Sequence, residues 1–426
     1  MMNLKVLRPW GTGRLLVALA LTLPACGSDH NNSSAVQQQI PLPGSPFAAI
    51  TTLDGRYVFV SMGGATSGVA VIRQGKTFAT VVHMIATCGP AFGLAMSNNG
   101  RYLLVAVQGS GSCPSGVQFI DVPKAIAGDP GAAMGTVPTN PTAIEVGLSV
   151  DNALVFVANE FSATMAGEPD TVSVIDFKEA LTSGQTASSI IGEIPVDRGP
   201  VGLAFSRNGR YLYVTNETAL PTRPFYDANA CRIPDSGGGC PIETHKGAVG
   251  TLDVVDVDTA RTDPADSVVA HIPAGCSPTR VILTNDDKVA WVSARDENNL
   301  LAFNANDILA NPADALLSTT PVGIAPDGAQ PFSRQRFIAV ANTNRFDKCS
   351  GAGGTVSILD FAKALNGAGA AATVGTFDAG VFPRQWALSP DGRLLYLTEF
   401  GSDTLAIFPV SSIVQQNAST LGLSRP

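Results

Sequence analysis

The sequence predicts an all-β fold, a seven-bladed β-propeller, on three observations. One short motif returns seven times, each return sits within a set of strand-like runs, and a segment near the N-terminus matches a run that the last set lacks. The motif is clearest at residues 209–216, Gly-Arg-Tyr-Leu-Tyr-Val-Thr-Asn. Close copies start at Gly55, Gly100 and Gly392, and degenerate copies run over 152–159, 288–294 and 335–342. A repeat of this period decides architecture before local propensity does.

The fourth copy shows why each element is expected. Residues 200–206 form an apolar run, and Asn208-Gly209 is a strong hairpin signal. The run 211–216 alternates aromatic and β-branched residues with the period of a strand. A third run ends in aspartate, at Asp121, Asp176, Asp256 and Asp360 in different copies. These aspartates are expected to cap the following turn. Short helical turns are expected at 123–126, 177–181, 306–309 and 361–365. A fourth run then returns to a turn such as Gly199-Pro200 or Ser277-Pro278. Four antiparallel strands repeated seven times describe the blades of a propeller. Nothing strand-like follows residues 404–410, whereas 40–46 matches the fourth runs 194–196 and 272–274. The N-terminal segment is therefore expected to complete the last blade, removing an exposed edge.

The motif and its strand pattern resemble the YVTN-type repeat family, close to the lactonase-like seven-bladed propellers, over residues 40–410. The resemblance implies the propeller fold, with function carried by whatever the copies do not share. Lactonase-like relatives have His-Pro turns at the channel mouth, and the corresponding turns here lack histidine. The four histidines are His30, His83, His245 and His271, and none accompanies a nucleophile motif. His83 and His271 are expected as exposed residues of outer strands.

Lys5, Arg8 and Arg14 precede a short apolar stretch, residues 15–23, the layout of a cleaved export signal. The stretch ends Leu-Pro-Ala-Cys-Gly at 23–27, which resembles a bacterial lipoprotein box. The resemblance implies cleavage before Cys26, acylation of its sulfur, and a membrane partner reached through that lipid. The expected organisation is a signal at 1–25, a flexible tether at 26–38, the propeller at 39–412 and a tail at 413–426. The periplasm or the cell surface is expected, with Gly27 favouring the outer membrane. Without 1–25 the chain has 24 basic and 35 acidic residues, about −11. No basic cluster is present, which argues against nucleic acid. A monomer is expected, with no cofactor and no metal.

Six cysteines remain, without C-x-x-C spacing, and structural disulfides are expected. Cys88 and Cys113 flank the first two strands of one blade. Cys231 and Cys240 share the long insertion 217–250, leaving Cys276 and Cys349 from neighbouring blades. The expected pairing is therefore 88–113, 231–240 and 276–349. In a propeller, loops entering the first strand and leaving the second share one face around the channel. Candidate binding residues on that face are Glu160, Glu217, Arg280, Arg295, Asp296, Asn342, Arg384 and Glu399. Carboxylates and guanidinium groups there suit binding of a small polar ligand or a protein partner. The alternative is a lactonase-like hydrolase or isomerase using Glu160, Glu217, Glu399 and Arg384.

Overall fold

A computed structural model describes residues 36–64, 66–163, 167–232, 246–345 and 353–416. Seven four-stranded antiparallel sheets follow one another, and the chain is a seven-bladed β-propeller. Blades one to six span 46–85, 91–138, 143–196, 198–273, 278–321 and 326–378. Blade seven joins three strands from 383–409 with Gln38–Pro41, whose outer position pairs Gln38 with Ile407 and Pro41 with Thr404. Ile40 is buried there beside Leu405, Ile407 and Tyr396, with Val58 and Val60 of blade one in the same cluster. The first and last blades thus share one core.

The repeat motif makes the hairpin between the first two strands of each blade. Its turn residue has positive φ in all seven copies: Gly55, Gly100, Gly209 and Gly392, and Asn152, Asp287 and Gln335 in the degenerate ones. Glycine adopts this conformation at no steric cost, and Asn and Asp tolerate it. The apolar residues that follow are buried between blades: Leu212 and Val214 of blade four pack with Phe156, Val172 and Val174 of blade three. The aspartates ending the third strands behave as expected. Asp121, Asp176, Asp256 and Asp360 accept from backbone N–H groups at the start of short helices. A fifth helix of this kind, Val257–Ala260 in blade four, was not expected. Helix Val410–Gln416 runs across the expected boundary at 412 and buries Ile413 against blades six and seven.

Strand direction divides the ring into two faces. The repeat-motif turns and short helices lie on the lower face. The turns that enter the first strands, the exits of the second strands and the blade-four insertion lie on the upper face. Residues 36–38 join the ring from below, because Gln38–Pro41 runs upward beside Thr404–Pro409.

Among the described residues two disulfides are present, Cys88–Cys113 and Cys231–Cys276. The first is the expected pair. The second overturns both 231–240 and 276–349, and Cys240 and Cys349 lie outside the described residues. Cys231 sits in a two-residue ladder with Lys246–Gly247 and meets the turn entering blade five. The insertion therefore crosses to the next blade, which spacing within the insertion does not reveal.

Candidate functional site

A cavity of about 320 Å³ opens at the upper mouth of the channel. Its inner wall is a ring with one residue from each blade: Phe47, Phe92, Ile144, Val201, Thr279, Asp327 and Arg384. Each follows the residue that turns the chain into its innermost strand, namely Pro46, Ala91, Ala143, Pro200, Pro278, Pro326 and Pro383. A register shift occurs at this point in every blade. Such bulges re-aim a side chain at the rim of a sheet. Close approach of neighbouring inner strands is required here, since a Cβ on Gly328 would collide with the backbone carbonyl of Arg384. An upper layer comes from the exits of the second strands: Gln108, Glu160, Glu217, Arg295 and Phe400, with Arg345 slightly further along.

The polar centre is a chain of buried ion pairs. Arg384 Nη2 lies 3.2 Å from Asp327 Oδ2, and Arg280 Nε lies 3.5 Å from Asp327 Oδ1. Arg280 also reaches Glu145 Oε2 at 3.2 Å and donates to the carbonyl of Val201. Gln385 of blade seven donates to the same Glu145 oxygen at 3.1 Å, a contact from blade seven to blade three. Arg295 pairs with Glu217 at 2.6 Å and Asp296 at 3.2 Å. The Arg384 guanidinium stands 4.2 Å over the Phe47 ring, with Phe382 and Phe400 at 5.1 and 5.7 Å, so aromatic faces carry part of its charge. Phe382, and Phe161 on the cavity wall, both hold positive φ, 55° and 51°. Bulky residues rarely adopt this conformation, and such strain concentrates at functional sites.

The charges shape one another's protonation. Burial pushes the Glu160 carboxyl up, the Glu217 carboxylate adds to this, and the arginines only partly oppose it, leaving it at about 7. Burial also raises Asp327, but Arg384, Arg280 and Arg295 outweigh burial and hold it below the usual range. Burial lowers Arg384 to about 10 despite Asp327. For Arg295 burial is outweighed by Glu217 and Asp296, and its affinity for the proton rises. At the centre Arg280 Nε and Asp327 Oδ1 face each other only as an ion pair at 3.5 Å, and the buried Arg384 Nε makes no hydrogen bond.

Of the residues expected from sequence, Glu160, Glu217, Arg280, Arg295 and Arg384 line one cavity, and Asp296 supports it through Arg295. Asn342 and Glu399 do not line it. Asn342 donates to Thr355 and Ser357 within its own sheet. Glu399 is fully buried and accepts from Gly380 N–H, Thr404 and Gln39, tying blade seven to the N-terminal strand. Sequence reasoning missed Asp327, Arg345, Glu145 and the phenylalanines. Aligning the seven turns would have found Asp327, which follows Pro326 as Arg384 follows Pro383. His271 is half-buried, with Nδ1 2.8 Å from Asp253, and is not the exposed outer-strand residue expected.

No protein-family model matches the chain. A similar relative is the seven-bladed beta-propeller protein Rv1057 of Mycobacterium tuberculosis (strain ATCC 25618 / H37Rv), 26% identical over an alignment of 263 residues, with 53% of this chain and 64% of that protein covered. The match thus spans less than two thirds of the relative. Among solved structures, hydrazine synthase of Kuenenia stuttgartiensis superposes with a TM-score of 0.62 at 16% identity, covering 91% of this chain and 99% of that one. The beta-propeller domain of Cps50 (Swd1) from Myceliophteria thermophila gives 0.60 at 13% identity, covering 88% and 99%. At such identities the structural likeness concerns the fold alone. What these similarities establish together is a seven-bladed β-propeller.

Proposed function

We propose that the protein is a lipid-anchored, extracytoplasmic propeller that holds a small polar ligand with an anionic group in the channel-mouth cavity. The lipid anchor and the export route rest on the lipoprotein-like box at 23–27. The binding reading rests on one observation: four arginines, Arg280, Arg295, Arg345 and Arg384, line the cavity against three carboxylates, Glu160, Glu217 and Asp327, and Glu160 is held up at about 7. A carboxylate or phosphate group would balance that cationic excess, in a site where burial makes charge-assisted hydrogen bonds strong. The phenylalanines would enclose the apolar part of the ligand. The blade-four insertion, fastened across the upper face by Cys231–Cys276, borders the same mouth and is where a protein partner would gain access. Calorimetric titration with small carboxylates, on the parent and on Arg384→Gln, tests the reading. Saturable binding lost in the variant supports it, and binding unaffected by the variant overturns it.

A second reading has its own observation. Glu160 has a carboxyl poised at about 7 in the cavity beside arginines, as a general acid or base requires. A lactonase-like hydrolase or isomerase would use Glu160 for proton transfer and Arg384 to hold the developing oxyanion. Lactone turnover abolished by Glu160→Gln would favour this reading over binding alone.

A further inference from the structure

The two most exposed large apolar side chains among the described residues are Phe78 and Leu53, at 64% and 60%. Both lie at the lower end of blade one: Leu53 in the turn before Tyr57–Met62, Phe78 in the turn between Gly68–Gln74 and Ala79–Ile85. Solvated apolar groups on adjoining turns are unusual for a surface that meets only water. The same end carries Arg56, Arg73 and Lys76, all exposed, against one carboxylate, Asp54. The lower end of blade five is the opposite, with Asp286, Asp287, Asp307 and Asp314 against Lys288 alone. The lower face is thus electrostatically lopsided, basic at blade one.

The chain enters the ring in the outer strand of blade seven, which borders blade one. Gln38, the first residue of the closing strand, exchanges side-chain hydrogen bonds with the backbone of Ala79, next to Phe78. From Val36 back to Cys26 is ten residues, a reach of at most about 35 Å if fully extended. A lipid on Cys26 would therefore keep the lower end of blade one at high local concentration beside the bilayer, where a weak surface contact suffices.

We propose that the lower end of blade one rests on an anionic lipid surface, with Phe78 and Leu53 entering the headgroup layer and Arg56, Arg73 and Lys76 facing lipid phosphates. Exposed apolar residues beside cations are what an interfacial contact with anionic lipid uses. The lower face then lies on the membrane and the cavity opens away from it. The tether's contribution rests on the lipoprotein reading given above; the patch does not.

The test introduces a reporter, Phe78→Trp, into the full chain, whose described tryptophans Trp291 and Trp386 are buried. Vesicles of phosphatidylglycerol and phosphatidylethanolamine with brominated acyl chains serve as quencher. The added emission is expected to fall by about half on these vesicles and not on phosphatidylcholine. Phe161→Trp on the upper face should keep its emission, and Lys76→Glu with Arg73→Glu should abolish quenching at position 78. Quenching equal at both positions, or absent at 78, overturns the proposal. Intact mass reads acylation of Cys26 separately. A Cys26→Ser chain at millimolar lipid should still be quenched at 78, reversibly in about 0.5 M salt. That result stands even if no acyl group is found, and its absence counts against the docking face rather than the anchor.

Discussion

Arg384 of blade seven and Asp327 of blade six, each directly after a turn proline, meet at 3.2 Å in the middle of the ring. Asp327 is shared with Arg280 of blade five, so one carboxylate compensates two buried guanidinium groups from its two neighbours. Removing its charge leaves those cations underpaired. Asp327→Asn is expected to cost about 3–5 kcal/mol, seen as a lower urea midpoint. Asp286→Asn, on an exposed turn, should change the midpoint little. A midpoint unchanged in Asp327→Asn would refute the shared-carboxylate account.

Glu160 makes stability depend on pH in a definite direction. Its folded carboxyl titrates at about 7 against an ordinary value of 4.5, so between these limits the folded chain holds a proton that the unfolded chain has released. Stability from this group is present below about 4.5 and is lost as pH rises to about 7. Glu160→Gln should therefore be stabilising at pH 8, by roughly 1–3 kcal/mol, and neutral at pH 4. Thermal melts of both proteins across this range give the difference. A variant equally stable or weaker at pH 8 would show that Glu160 is ionised without penalty.

The cysteine pairing predicts a peptide map. Non-reduced digestion should yield one peptide pair joining Cys88 to Cys113 and another joining Cys231 to Cys276. The second bridge closes 45 residues of chain. Cys276→Ser should lower stability by about 2–4 kcal/mol and raise cleavage by trypsin within the insertion. A map with Cys231 joined to Cys240 would contradict this.

Closure of the ring rests on a four-residue strand. Ile40 is its buried apolar anchor, and Ile40→Ala should cost about 2–5 kcal/mol. The loss should appear in a single unfolding transition, because blades one and seven share that core. Gln39→Ala, whose partner Glu399 keeps two other donors, should cost distinctly less.

Much of this was legible in the sequence because the motif encodes backbone geometry. Gly55, Gly100, Gly209 and Gly392 announce a left-handed turn that only a hairpin explains, and the alternating residues after them announce which sides are buried. The site was legible where charge stood out at a repeat position, as with Arg280, Arg384, Glu160 and Arg295. Asp327 stands where Arg384 does, directly after the turn proline, but within Pro-Asp-Gly, a sequence common in turns. Glu399 and Asn342 misled for the reverse reason: a polar strand end inside a sheet serves its neighbours' backbone as readily as a ligand. The link from Cys231 to Cys276 was hidden because it depends on where the insertion lies relative to blade five, a relationship between elements that spacing does not carry.

The central claim is that the channel mouth captures an anion through Arg280 and Arg384. Isothermal titration at pH 6 with acetate, malonate, citrate, gluconate and inorganic phosphate, on the parent and on Arg384→Gln, tests it most directly. The account predicts saturable one-site binding of at least one of these anions to the parent, weakened tenfold or more in the variant, a loss of about 1.4 kcal/mol. Binding of none of them, or binding of equal strength in Arg384→Gln, would contradict it.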